Sequence, residues 1–105
     1  MIKSNVQLLA VNKNADQEAK VLFTCGLDAI KSILDFVGDI RIKFYLADAK
    51  DDVIIGQIVS VNATATSGDT KYKFAIKCPQ SENVKTSQLS SLCGQAVDLV
   101  IEIDE

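Results

Sequence analysis

Several short stretches of the chain alternate strictly between apolar and polar residues. In KVLFTC at 20–25, Val21, Phe23 and Cys25 share one side, with Lys20, Leu22 and Thr24 on the other. In KFAIKC at 73–78, Phe74, Ile76 and Cys78 oppose Lys73, Ala75 and Lys77. The same period runs through DIRIKFYLA at 39–47, where Ile40, Ile42, Phe44 and Leu46 oppose Arg41, Lys43 and Tyr45. It returns in QAVDLVIEID at 95–104, which sets Val97, Leu99, Ile101 and Ile103 against Asp98, Val100, Glu102 and Asp104. A period of two predicts half-buried strands. In LDAIKSILDFVG at 27–38, Leu27, Ile30, Leu34 and Val37 fall at helical spacing, with Ile33 widening the stripe and Gly38 placed to end the helix. A shorter, second helix is expected after Pro79, capped by Ser81 or Thr86, with Leu89, Leu92 and Cys93 as its apolar side and Gly94 as its end.

These elements come in one order, twice. QLLAVN at 7–12 matches QIVSVN at 57–62, and each copy is followed by a polar, turn-prone segment. KVLFTC and KFAIKC come next in the two copies, then a helix ending in glycine, then an alternating strand. Gly68-Asp69 suits the tip of the second hairpin. The chain therefore reads as one domain over 1–105. It holds a first repeat at 6–46, an acidic connector at 47–52 that includes Asp48, Asp51 and Asp52, and a second repeat at 53–103. One ββαβ unit cannot bury both its helix stripe and its sheet face, whereas two units about a pseudo-twofold axis share one core. The expected fold class is α+β: duplicated ββαβ units forming about six mainly antiparallel strands, with two helices packed on one sheet face.

Composition narrows the function. Of 105 residues, 48% are hydrophobic and 24% charged, the balance of a globular domain. The N-terminal residues lack a long apolar signal region, no apolar run is long enough to span a bilayer, and a soluble cytoplasmic protein is expected. Cys25, Cys78 and Cys93 are odd in number and form no CxxC pair, so small buried hydrophobes are expected rather than disulfides or a zinc site. The chain has no histidine, hence neither the most versatile general base nor the commonest transition-metal ligand. No nucleophile elbow, phosphate loop or dinucleotide fingerprint is present. The acidic connector lacks the ligand spacing and central glycine of a calcium loop. The expectation is a protein that is not an enzyme and takes no cofactor or metal.

The net charge of −3 gives no global basic field, but the charge is uneven. Arg41, Lys43 and Tyr45 share the polar side of one strand, and Lys73 and Lys77 that of another. An exposed basic sheet face with an aromatic residue suits single-stranded nucleic acid, which makes these five residues the candidate nucleic-acid site. Against this stands the ordinary use of lysine to keep a sheet soluble and to guard its edges. The acidic outward residues Asp98, Glu102 and Asp104 add a further alternative. Beside the basic strand they would form cross-strand pairs; at an opposite edge they would favour self-association.

The stretch KYKFAIKCP followed by SLCGQAVDLVIEIDE, within residues 71–105, resembles small accessory proteins encoded by phages and prophages, some of them beside replication or recombination genes. The resemblance implies an accessory role and carries over no site residue. Taken together, the sequence leads to a non-catalytic protein-interaction module. It would act through a sheet edge or face on a protein partner or a second copy, with no role at a membrane. The alternative is a single-stranded nucleic-acid-binding accessory protein.

Overall fold

Each alternating stretch becomes a strand in the computed structural model, which describes residues 1–13, 18–66 and 68–104. The order is β1 (Ile2–Lys13), β2 (Ala19–Cys25), α1 (Leu27–Ile33), β3 (Ile42–Leu46), β4 (Ile54–Thr66), β5 (Asp69–Cys78), α2 (Asn83–Gln88) and β6 (Ala96–Ile103). A 3₁₀ turn, Leu34–Phe36, extends α1, and two more, Gln80–Glu82 and Leu89–Leu92, flank α2. The second helix begins neither at Ser81 nor at Thr86. Glu82 is its N-cap residue, and Thr86 is buried and donates its hydroxyl to the Asn83 carbonyl.

The expectation of helices packed on one sheet face is overturned. The six strands form a closed antiparallel barrel in the order β1-β2-β5-β4-β3-β6, with β6 returning to pair with β1. The reason is one of coverage. The α-helices have 7 and 6 residues, about 10 Å of helix each, whereas six strands laid side by side span about 24 Å. Helices this short cannot cover such a face, so the sheet covers its own apolar face by rolling up. Phe23, Phe44 and Phe74 fill the lumen. Phe23 stacks on Phe74 at 5.2 Å between centroids and meets Phe44 edge-on at 6.5 Å, the two favoured aromatic arrangements.

Antiparallel pairing all the way round puts the C-terminal ends of neighbouring β2 and β5 at opposite ends of the barrel. The α1 segment therefore crosses one end, from β2 to β3, and the α2 segment crosses the other, from β5 to β6. Ile30, Ile33 and Phe36 close the first end and Leu89 contributes to the second. Exchanging β1, β2 and β3 for β4, β5 and β6 maps the set of strand pairings onto itself.

Two irregularities recur fifty positions apart. The register of β1 on β2 shifts between Leu8 and Ala10, and that of β4 on β5 between Ile58 and Ser60. Each is a one-residue bulge, which bends the strand and resets its facing. At each bulge a glycine from the other half closes the wall. Gly94 donates its N–H to the Leu8 carbonyl at 2.7 Å, and Gly38 donates to the Ile58 carbonyl at 3.1 Å. Both glycines have positive φ, +89° and +114°, which other L-residues adopt only at a cost. Beyond the bulges β1 and β4 outrun their second neighbours. β6 pairs with β1 only as far as Gln7, and β3 pairs with β4 only from Ile54 to Gly56.

At Gly56, β4 lies close against β5. A Cβ there would lie 2.7 Å from the Lys77 carbonyl oxygen and 2.8 Å from Ile76 Cγ2. The carbonyl belongs to the barrel wall and cannot swing aside. Gly56→Ala is expected to destabilise the fold by about 1–3 kcal/mol, the usual cost of overpacking. Gly26→Ser, in open space at a helix N-cap, should be neutral or mildly stabilising. Urea unfolding of the two variants beside the parent protein checks both.

Candidate functional site

A regular strand presents residues five apart on opposite faces. The bulges change this for the repeated motif. Gln7 lies opposite Thr24 and Asn12 opposite Lys20, and both point outward because the extra residue at the bulge restores their common side. Gln57 opposite Lys77 and Asn62 opposite Lys73 repeat the arrangement in β4. The first and last residues of QLLAVN and QIVSVN are thus the four amide corners of one outer wall, made by β1, β2, β5 and β4.

Between the corners stand lysines. One row across the wall runs Asn12, Lys20, Lys77, Gln57; another runs Gln7, Thr24, Lys73, Asn62. Each row is about 14 Å long, and the two lie about 13 Å apart. The row between them is smaller and less polar: Ala10, Leu22, Ala75 and Ser60. Ala75 and Thr24 are on the outward side yet are only 6% and 7% exposed. Lys71, opposite Thr64, extends the basic surface toward the β4–β5 turn. Lys20 and Lys77 face each other directly, a like-charge pair that costs stability. Glu18, 3.1 Å from Lys77, relieves part of that cost. Gln7 gives one amide hydrogen to the Gly94 carbonyl.

The five residues singled out from sequence do not come together. Lys73 and Lys77 belong to this wall, but Lys43 and Tyr45 lie on β3, beyond β4, and Arg41 immediately precedes β3. There β3 pairs with β6, so the acidic strand lies beside the basic one. Arg41 Nε is 2.7 Å from Asp104 Oδ2, and Lys43 Nζ is 3.6 Å from Glu102 Oε1. Tyr45 is half-buried opposite Val100. Arg41 and Lys43 thus each have an acidic partner at the surface, as Lys77 has in Glu18, and self-association through complementary β3 and β6 edges is ruled out by the pairing itself. Lys20 and Lys71 complete the wall instead. The signal for Lys20 was present in its alignment with Lys73 at the head of the repeated strand.

Little elsewhere offers reaction chemistry. A cavity of about 150 Å³ lies between the α2 segment and the β3–β4 connection, with Phe44, Leu46, Ile54, Leu89 and Leu92 in its lining. Lys85 at its rim is already engaged, donating to the Val53 carbonyl at 2.8 Å and lying 3.7 Å from Glu82. Among the described residues no group of three cysteine, aspartate or glutamate side chains gathers closely enough to hold a metal ion. No described helix is long and apolar enough to cross a membrane.

The cysteines divide differently from expectation. Cys25 and Cys78 are buried, but Cys93 is exposed, because it falls in the turn after Leu92 rather than on the apolar side of a helix. Burial raises the Cys25 thiol pKa, the opposite of an activated thiolate. Burial, reinforced by the Glu82 carboxylate, pushes Cys78 up from 9.0 to about 12. Native protein at mildly alkaline pH should lose Cys93 to iodoacetamide first, with Cys78 modified only on unfolding; peptide mass mapping reads the order. The native state holds the Cys78 proton where the unfolded chain releases it. Stability should therefore fall as pH rises from about 9 toward about 12, and Cys78→Ala should flatten that part of the profile in pH-dependent urea unfolding.

Comparisons with protein families, curated proteins and solved structures return no match to this chain.

Proposed function

We propose that the protein is a non-catalytic binding module whose outer wall of β1, β2, β5 and β4 holds the phosphate backbone of nucleic acid. The observation that supports this most is the place of the lysines. Lys20, Lys73 and Lys77 sit on β2 and β5, which are paired on both sides. Edge protection therefore does not account for them, and two face each other at a cost to stability. Lysines and amide side chains are the groups that contact phosphate oxygens, lysine by charge and Asn or Gln by hydrogen bonding. The four corner amides sit in the same two rows as the lysines, so an extended polyanion laid along a row meets both. The wall presents no outward aromatic ring, so binding rests on the backbone rather than on base stacking and has weak sequence preference.

Counterion release gives a measurable signature. Each phosphate neutralised contributes about 0.7–0.9 to the slope of log affinity against log salt. Labelled single-stranded and double-stranded oligonucleotides, titrated over a salt series, should bind with a slope between about −2 and −3. Lys73→Ala and Lys20→Ala should each lower the steepness by about 0.7–0.9. Lys43→Ala, which removes a charge already matched by Glu102, should leave it unchanged. Absence of binding to either oligonucleotide at low salt would remove nucleic acid as the ligand, leaving an acidic protein surface as the remaining fit to this wall.

A further inference from the structure

The barrel has no edge along most of its length, but the overhangs do. Beyond the bulge, β4 is hydrogen-bonded to β5 on one side, and among the described residues no strand pairs with its other side. Val59 is 43% exposed, and Ser60 and residues 62–65 are exposed. The counterpart in β1 is short and ends in Lys13, with Leu9, Ala10 and Val11 only partly exposed. Native edges are ordinarily guarded by charge, proline or brevity. β1 is guarded in this way. β4 is not: from Ile54 to Thr66 it has no charged residue and no proline.

We infer that the free edge of β4 pairs, antiparallel, with β4 of a second copy of this chain, forming a closed twofold dimer. An uncharged strand meets no like charge when laid against itself, and its β-branched and small residues suit cross-strand pairing. The twofold axis falls at Thr64, an outward position within the exposed residues 62–65. With Thr64 opposite Thr64, position 66 of one copy lies opposite Asn62 of the other. The β5 partners of those two positions are Asp69 and Lys73. Each end of the seam then holds an acid from one copy and a lysine from the other in the same row, about 14 Å apart, so the paired backbones rather than these charges hold the seam. The two copies of Lys71 would stand about 14 Å apart, beyond the screening length at physiological salt. The pairing is isologous and so terminates at two copies, unlike a β4-to-β1 contact, which would continue into a filament. It also places the outer walls of the two copies on one side of a continuous sheet. The dimer does not depend on what that wall binds.

Sedimentation velocity across a wide concentration range tests the dimer. The parent protein should pass from monomer to dimer as concentration rises, with no larger species. Thr64→Lys and Thr64→Glu, each of which sets like charges opposite each other at the seam, should remain monomeric with unchanged far-ultraviolet circular dichroism. An equal mixture of the two should dimerise again, now as a heterodimer. A parent protein monomeric throughout, a dimer that persists in both single variants, a mixture that fails to associate, or an open-ended series of oligomers would each overturn the proposal.

Discussion

Pairing of β6 with β1 is the contact on which the remaining architecture depends. Without it the six strands would be an open sheet with one apolar face, and that face would need more helix than the chain has. With it, Phe23, Phe44 and Phe74 face one another across a lumen that the strands enclose. The two helical segments are then needed only at the barrel ends, where a single turn or two suffices. Closure also changes what surface residues mean. On an open sheet a lysine-bearing strand can be an edge strand, and its charge a guard against aggregation. In the barrel β2 and β5 are interior strands, and the same lysines become a charged wall that closure does not require.

The bulges at Leu8 and Ile58 connect this architecture to its surface. Each does three things at one position. It turns the following residues so that the motif's terminal amides share a face. It receives a glycine N–H from the opposite half, which satisfies a carbonyl just where the neighbouring strand gives out. And it marks the point beyond which, among the described residues, no strand pairs with one side of β1 or β4. The lysine–amide wall and the unguarded edge of β4 are consequently two products of one local irregularity.

Much of this was legible in the alternation of residues, and the exceptions share a cause. The strands, the first helix and the glycines that end both helical segments are local features, and local sequence specifies them. Closure is not local: it joins Ile2 to Ile101, and each of those strands alone looks like half of any sheet. The bulges have no signature of their own, since Leu9 and Val59 are ordinary strand residues. Without them the outward positions of Asn12 and Asn62 cannot be assigned. The separation of Arg41, Lys43 and Tyr45 from Lys73 and Lys77 has a related reason. Strand order was not readable, and it is strand order that set Glu102 and Asp104 beside them. Cys93 was misplaced because its helical segment ends one residue earlier than its apolar spacing suggests.

The seam between β1 and β6 has a kinetic consequence. Its two strands are the first and last of the barrel, so the loop that must close to form it is longer than for any other pairing in the barrel and the least favoured by entropy. The hairpins β1–β2 and β4–β5 need only short loops and can form early. Assembly is therefore expected to end with the first and last strands meeting, and until they meet the barrel stays open along one side with its phenylalanines wet. A nascent polypeptide cannot complete this step until β6, through Ile103, has left the ribosome.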